Sequence, residues 1–510
     1  MRQHTPDPQG PHLALVGGGA AAVALLDRLS RDDTLPHTGA VTVFEPSDRL
    51  WRGRAYQHDL DSVLVNIPPH EMSATKGRPG AFQQYLTDHR LPYGGGDWSE
   101  RGHFPPRHVF GSYLESTAEA AVAALGRRGW TVHLVRTAVA RARELPDAVE
   151  LTDTDGTPRR FDHVVCAVGP GTPADHYRLA GEPGFVADPY PLRETTARIP
   201  RTASVTVIGT GLAAVDAVVS LARQGHTGDI AMASRNGCLP AVRQRPVHPR
   251  IQHFTPAALD RLAREHGGTF GLDALLTLLA RELDAHGAGH ATVLDELLTA
   301  DTEPPLDRLR RQYAQRDAAD TGMRVMQEAV PLSGPDAWTR LRPEDQAYIR
   351  EHHYRAIMSL CCPMPPENAR TLIGLAETGR LRVLAGLDGV KPMDGGGFHV
   401  VTRDGSFETS TVINAVAAPA HRVPAGAGAL IGALVEGRAA EYHPAGGVTV
   451  EPDTSRLRAD GRTRGRLYAI GDISGGTLFF TSGMPSVVDR ADDIVGAIVQ
   501  DLRTASPAAA

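Results

Sequence analysis

The sequence predicts an α/β fold with two Rossmann-like dinucleotide-binding domains and a helical insertion. A G-x-G-x-x-A turn occurs twice, and each copy follows a short apolar, β-branched run and opens a helical pattern. The first glycine makes a tight turn, the second admits a pyrophosphate, and the small third residue lets the helix pack on the sheet. We therefore expect two dinucleotides, one a flavin and the other a nicotinamide. The motif positions are Gly17, Gly19 and Ala22 in the first copy, and Gly209, Gly211 and Ala214 in the second.

The first unit is predicted as a strand at 12–16, a helix at 20–31 and a second strand at 41–45. Glu45 ends the second strand, where an acidic side chain accepts hydrogen bonds from adenosine ribose hydroxyls. A carboxylate there suits FAD or NAD and would repel a 2′-phosphate. The alternative is a solvated loop carboxylate. We expect FAD at this unit.

The second unit differs at the equivalent position. Its strand at 230–233 is followed by Ser234 and Arg235, with no acidic residue. A hydroxyl and a guanidinium suit a 2′-phosphate, because arginine forms charge-assisted bidentate bonds to phosphate. The sequence therefore predicts NADPH at this unit. If Arg235 is only a surface residue, NADH use is expected instead.

Three later stretches are typical of the return strands of such domains. They cover residues 161–169, 412–416 and 465–472, and the last ends in Gly471 and Asp472. In flavoproteins with this ending, the acid typically bonds the ribityl chain or the pyrophosphate. A helix at 485–502 begins with proline, which is favoured at the first helical position.

These elements predict a discontinuous FAD-binding domain, formed by residues 11–198 and 413–502. The NADPH-binding domain is expected at 199–412, with a helical insertion at about 241–375. Within the insertion, the apolar periodicity predicts four helices, and Asp, Gly and Pro residues mark their starts and ends. Their expected ranges are 256–266, 272–286, 291–300 and 305–316.

Composition excludes several classes of protein. The chain has 510 residues and a net charge of −6, so no basic surface favours nucleic acid or an anionic membrane. No apolar leader and no uninterrupted apolar run of 18 residues occurs, which favours a cytoplasmic protein. The sequence contains no metal-site motif. The four cysteines include no C-x-x-C pair, which disfavours a disulfide reductase. A homo-oligomer is left open.

Three consecutive segments, at 45–56, 64–72 and 106–114, carry a more specific resemblance. They contain G-x-A-Y, L-x-N-x-P…M and R-x-x-x-G-x-Y-L, in that order. The chain resembles a bacterial family of FAD/NAD(P)-binding proteins related to single-component flavin monooxygenases, whose fold is of the flavin monooxygenase and glutathione reductase type. Relatives include amine N-hydroxylases and enzymes that oxidise L-aspartate to nitrosuccinate. The resemblance implies FAD, NADPH and O2, with a C4a-hydroperoxyflavin as the oxygen donor.

The resemblance also implies roles for particular residues. Asn66 matches an asparagine beside the flavin, where a neutral amide can hydrogen-bond the bound oxygen without protonating it prematurely. A turn-forming asparagine is the alternative. The remaining expected flavin-domain contacts are Trp51, Arg52 and Tyr56, which would line the isoalloxazine, and Arg107.

Substrate selection is expected in the insertion or in the arginine-rich loop 243–250, because arginine pairs bidentately with a carboxylate. The candidates are His248, Arg250, His353 and Arg355.

We expect an NADPH-dependent flavin monooxygenase that oxidises a small amine or amino acid, with L-aspartate among the candidates. Two alternatives stay open: an FAD-dependent NAD(P)H reductase or oxidase that inserts no oxygen, and a non-catalytic redox sensor. The substrate nitrogen must be neutral to react, so a base or a dry pocket should lower its pKa.

Overall fold

The computed structural model describes residues 10–95, 98, 102–247, 249–300, 302–318, 320–416, 422–481 and 483–505. Its strands, in chain order, are β1 His12–Val16, β2 Gly39–Phe44, β3 Trp130–Val135, β4 Val139–Glu144, β5 Val149–Asp153, β6 Pro158–Phe161, β7 His163–Cys166, β8 Phe185–Val186, β9 Val205–Ile208, β10 Ile230–Ala233, β11 Leu381–Leu384, β12 Leu387–Pro392, β13 Phe398–Thr402, β14 Gly405–Thr409, β15 Thr411–Asn414, β16 Arg456–Ala459 and β17 Arg462–Ala469.

The helices connect these strands and supply the insertion. They are α1 Ala20–Ser30, α2 Ala81–Asp88, α3 Arg107–Arg127, α4 Leu192–Thr195, α5 Leu212–Arg223, α6 Pro256–Glu265, α7 Leu272–Ala285, α8 His290–Leu298, α9 Pro305–Ala314, α10 Gly322–Arg340, α11 Pro343–His352, α12 Tyr354–Cys361, α13 Pro366–Glu377, α14 Gly428–Glu436, α15 Gly475–Leu478 and α16 Met484–Ala505.

The first sheet has the order β16-β17-β7-β1-β2-β3 and is parallel except at the β16-β17 pair. Both of its faces are buried, as is usual for parallel sheets. Leu13 and Leu15 of β1 face a core formed with α1, α3 and α16. Ala14 and Val16 face the opposite core, formed with α14 and the antiparallel sheet β4-β5-β6. The sheet therefore holds its glycine turn between two packed layers.

The second sheet has the order β11-β10-β9-β15-β8 and is parallel throughout. Helices α5, α9 and α13 pack on one face, and the antiparallel sheet β12-β13-β14 packs on the other. The prediction of two dinucleotide-binding folds is thus confirmed.

Strand β15 belongs to the second sheet, where it pairs with β9. The boundary expected between 412 and 413 passes through this strand, so the second domain extends past Asn414. Strand β8 also joins the second sheet, although the expected first domain ran to 198. Both ends of the predicted second domain are therefore misplaced, because β8 and β15 lie outside or across its expected boundaries but belong to its sheet.

The insertion is helical, as predicted, and α6, α7, α8 and α9 lie close to their expected positions. Helix α10 was not predicted individually, because Pro331 and Pro335 lie inside it and interior prolines disfavour a helix. Its burial explains why it forms, since Val325, Ala329 and Trp338 are 0–3% exposed. Among the described residues, no helix is long and apolar enough to cross a bilayer.

Candidate cofactor and substrate site

Both glycine turns have a backbone geometry that only glycine tolerates. Gly17 and Gly209 each have a φ of +113°. A Cβ on Gly17 would lie 2.1 Å from the carbonyl oxygen of Ala167, and a Cβ on Gly209 would lie 2.8 Å from that of Ala415. Each turn is therefore closed against its neighbouring return strand, and a side chain there would force the strands apart.

The two turns leave their helix N-termini open to an anion. Helices α1 and α5 follow Gly19 and Gly211, and neither helix has a side-chain cap. A Cβ on Gly211 would meet no described atom within 4 Å, and one on Gly19 would come only within 3.6 Å of the Gly53 Cα. Free N–H groups, the positive end of the helix dipole and open space together fit a dinucleotide pyrophosphate.

Glu45 lies directly after β2, beside the first turn. One carboxylate oxygen accepts a hydrogen bond from the Gly18 backbone N–H at 2.9 Å. The other accepts bonds from the Ser47 backbone N–H and hydroxyl at 2.9 and 2.7 Å. These bonds hold the half-buried carboxylate at the edge of the turn, where an adenosine ribose is expected.

Trp51 lies at the first turn, whereas Tyr56 and Arg52 contact α3. The Trp51 backbone N–H donates to the Gly18 carbonyl at 2.6 Å, and the Tyr56 ring packs on Phe110. Burial raises the pKa of the Tyr56 hydroxyl to about 12.

The Arg52 guanidinium is directed at α3 rather than at an open cleft. It forms a 2.6 Å ion pair with Glu115 and donates to the His108 carbonyl and the Ser112 hydroxyl. With a further bond to the Tyr56 carbonyl, all five of its N–H groups have partners. These bonds give the guanidinium a structural role, and its expected contact with the flavin stays a prediction.

Arg107 also has protein partners, and its expected cofactor contact stays a prediction. It begins α3, and its guanidinium lies 2.9 Å from the Asp216 carboxylate of α5. The Tyr190 hydroxyl donates to the same carboxylate at 2.6 Å, and Arg107 donates to the Tyr190 oxygen and to the Leu64 carbonyl. Burial raises the pKa of Asp216, while Arg107 opposes that shift. This buried cluster joins the helix of the second glycine turn to the first domain.

Asn66 is half-buried in the loop that pairs with the start of α3 through the bridge between Leu64 and Pro106. Its side-chain amide forms no hydrogen bond with any described residue. Its backbone carbonyl accepts a 2.7 Å hydrogen bond from Nε of Arg243, which lies at the start of the insertion. The Asn66 loop is therefore tied to the insertion while its amide stays available to a ligand.

The C-terminal part of the first domain completes this region. Gly471 follows β17 with a φ of +85°, and a Cβ there would meet no described atom within 4 Å. Asp472 comes next, at the carboxyl edge of the sheet, where the acid was expected. The placement fits a contact to the ribityl chain or pyrophosphate of a flavin.

At the second unit, Ser234 and Arg235 follow β10 as expected. The Ser234 hydroxyl accepts a 2.9 Å bond from the Gly237 N–H and lies 3.0 Å from the Thr210 hydroxyl, so it organises the turn. Arg235 is exposed and lines a surface cavity of about 430 Å³ together with Arg403 and Asp388. Two guanidinium groups at one cavity suit a 2′-phosphate.

The structure describes three of the four expected substrate residues. Arg250 and Arg355 are exposed, and the His353 ring packs 5.3 Å from Tyr348. His248 lies outside the described residues. None of these side chains forms a described contact with the Asn66 loop.

The structure brings other insertion residues to the C-terminal part of the first domain. Arg350 donates to the Gly476 carbonyl at 2.6 Å and lies over the rings of Trp338 and Phe479, which stack at 4.1 Å. The Tyr354 ring contacts Phe479 edge-on at 5.5 Å. Arg350 was not predicted from the sequence, because its contact with Gly476 joins residues that are far apart in the chain and only the folded structure brings them together.

The cysteines do not form a redox pair. All four lie in the described part of the chain as free thiols. Burial raises the pKa of Cys362 to about 11 and raises that of its neighbour Cys361 further, so neither is a thiolate near neutral pH. Among the described residues there is also no cluster of metal-ligating side chains.

Comparison with known proteins supports this architecture. Residues 14–171 match the family model described as FAD-NAD(P)-binding. No curated protein matches the sequence.

Solved structures share the fold over nearly the whole chain. The ornithine N-hydroxylase of Kutzneria sp. 744, solved with reduced FAD, NADP+ and L-ornithine, has a TM-score of 0.54 at 16% identity, covering 98% of this chain and 100% of that one. The ornithine hydroxylase of Pseudomonas aeruginosa has a TM-score of 0.57 at 16% identity, covering 97% and 100%. The L-lysine 6-monooxygenase of Pseudomonas syringae has a TM-score of 0.57 at 14% identity, covering 98% and 100%.

The fold and the two glycine turns define a protein with two dinucleotide-binding domains. Its first domain matches the FAD-NAD(P)-binding family over residues 14–171, as the sequence resemblance implied. Over 97–98% of the chain, the fold is the one shared by these N-hydroxylating monooxygenases.

Proposed function

We propose that the protein is an FAD- and NADPH-dependent monooxygenase that oxidises the amino group of a small amine or amino acid. The observation that carries the proposal is the pair of closed glycine turns in separate sheets, each opening an uncapped helix. Two such sites would allow a bound nicotinamide nucleotide to reduce a bound flavin nucleotide. The shared fold of the N-hydroxylating monooxygenases supports the same reaction class.

The residues present fit both cofactors. Glu45 and the α1 N-terminus would hold the adenosine and pyrophosphate of FAD, and Asp472 would contact its ribityl or pyrophosphate end. The α5 N-terminus and Arg235 would hold NADPH. Bound FAD supplies hydride acceptance and oxygen activation, which are the cofactor's own chemistry.

The protein's contribution would be positioning and the exclusion of water. The free Asn66 amide can hydrogen-bond an oxygen atom beside the flavin, because it donates without carrying an acidic proton. The insertion covers the C-terminal part of the first domain through the stacked rings of Trp338 and Phe479. A dry pocket also favours the neutral form of the substrate nitrogen, which is the nucleophilic form.

The alternative is an FAD-dependent NAD(P)H reductase or oxidase. Cys361 and Cys362 are half-buried free thiols with raised pKa values, which speaks against a disulfide-reducing version. The free amide of Asn66 favours oxygen insertion, since a simple oxidase does not need to retain activated oxygen.

The proposal is tested by comparing the NADPH consumed with the oxygenated product and the H₂O₂ formed. The FAD-loaded protein is supplied with NADPH, ¹⁸O₂ and a panel of amines and amino acids that includes L-aspartate. One member should yield an ¹⁸O-labelled N-oxygenated product in near-equal amount to the NADPH consumed, and Asn66→Ala should divert the same electrons to H₂O₂. If the wild type forms only H₂O₂ with every member, the reductase or oxidase alternative is correct.

A further inference from the structure

Arg243 lies at the junction between the Asn66 loop and the insertion. The residue is 6% exposed. Its backbone N–H donates to the Met364 carbonyl at 2.9 Å, next to the bridge that pairs Val242 with Met364. Its Nε donates to the Asn66 carbonyl at 2.7 Å. The backbone of Arg243 is therefore held by Met364, and its guanidinium is held at the Asn66 loop through Nε.

This guanidinium has no direct ion-pair partner among the described residues. No carboxylate in the described part of the chain forms an ion pair with Arg243, and its terminal Nη groups have no hydrogen-bond partner there. Arg308, which is 3% exposed, differs in this respect, because a carboxylate oxygen of Glu296 lies 3.4 Å from its guanidinium. Burial lowers the pKa of Arg243, while Glu71, Cys362 and Glu328 oppose that shift. A buried and unpaired cation is unfavourable unless an anion joins it.

A carboxylate is the anion that best suits this guanidinium. The pyrophosphates of both dinucleotides already have the N-termini of α1 and α5, and a 2′-phosphate has the cavity at Arg235. A planar guanidinium with free Nη groups matches a carboxylate bidentately. We propose that Arg243 binds the carboxylate of an amino-acid substrate, an inference that rests on the proposed N-oxygenation at the same site.

This position constrains the substrate. Arg243 contacts the residue whose amide is expected beside the flavin, so the carboxylate end of the substrate would lie close to the reacting oxygen. The nitrogen that is oxidised must then be near that carboxylate. The arrangement favours the α-amino group of a short amino acid over the ω-amino group of a long one.

Binding to the oxidised, FAD-loaded enzyme tests the anchor without any turnover. Isothermal titration would use L-aspartate, L-ornithine and L-lysine, each against its α-carboxamide, which keeps the shape and removes the charge. At least one acid should bind the wild type at least tenfold more tightly than its carboxamide, with L-aspartate the tightest. Arg243→Met should remove this difference, and Arg243→Lys should restore part of it, because lysine keeps the charge but not the planar fork.

Two controls separate binding from folding. Arg264→Met removes an equal charge from an exposed position on α6 and should leave every affinity unchanged. FAD content and NADP+ affinity should be unaltered in Arg243→Met. The proposal is overturned if no acid is preferred over its carboxamide, if the preference survives in Arg243→Met, or if NADP+ binding is lost instead. Charge-dependent binding without oxygenated product would uphold the anchor and reject only the proposed function.

Discussion

Arg235 offers a quantitative test of the nicotinamide site. Replacing it with alanine removes one of the two guanidinium groups at the 430 Å³ cavity, and Arg403 remains. A charge-assisted hydrogen bond contributes about 1.5–3 kcal/mol. Because Arg235 is exposed, we take the lower end of this range, about 1.5–2 kcal/mol. That loss corresponds to roughly a ten- to thirtyfold decrease in kcat/KM for flavin reduction by NADPH. NADH lacks the 2′-phosphate and should be nearly unaffected.

The assay is the anaerobic rate of flavin reduction, measured as kcat/KM with NADPH and with NADH. The wild type should prefer NADPH, and Arg235→Ala should lose that preference mostly through a higher KM. Raised salt should weaken the NADPH reaction of the wild type more than that of the variant. Arg201→Ala is the matched control, since Arg201 is exposed in the same domain before β9, at the opposite end of that sheet. Equal losses with both nucleotides, or no loss with either, would refute the reasoning.

Three further outcomes follow from the packing. Gly17→Ala should abolish FAD retention, measured by absorbance after gel filtration, because the new Cβ would lie 2.1 Å from the Ala167 carbonyl oxygen. Asp216→Asn should lower the free energy of unfolding by about 3–5 kcal/mol, measured by urea denaturation, because it leaves Arg107 buried without its charge partner. Burial lowers the pKa of His163 to about 4, below the unfolded value near 6.5, so acid favours the unfolded state. Between pH 6.5 and 4 the wild type should therefore lose up to about 3 kcal/mol more stability than His163→Gln.

Each of these predictions has a contrary result. Gly374→Ala, at an open helical position, should retain FAD, and full retention by Gly17→Ala would contradict the turn geometry. An Asp216→Asn protein as stable as the wild type would mean that the cluster does not hold the domains. Parallel pH profiles for the wild type and His163→Gln would show that the imidazole is not the acid-sensitive group.

The elements set by local sequence were predictable. The closed turns at Gly17 and Gly209 depend on residues within one βα unit, and the strands and helices around them form where the apolar pattern predicts. The acid at Glu45 also lies where the strand end places it. These features follow from steric rules that operate over a few residues.

The features that depend on distant contacts were not predictable. Arg52 and Arg107 occur within motif segments, yet their guanidinium groups are used by Glu115 and by Asp216, and no local pattern reveals those partners. Arg243 reaches Asn66 across 177 residues of sequence. Polar side chains find partners through the tertiary fold, so a motif predicts the position of such a residue better than its role.

Rapid-mixing spectroscopy tests the central claim most directly. The FAD-loaded protein is reduced with NADPH without oxygen and then mixed with oxygenated buffer while flavin absorbance is followed. The proposed function predicts a transient species, distinct from both reduced and oxidised flavin, that decays faster when the amino-acid substrate is present. Direct return to oxidised flavin with stoichiometric H₂O₂, unchanged by every amine and amino acid tested, would contradict it.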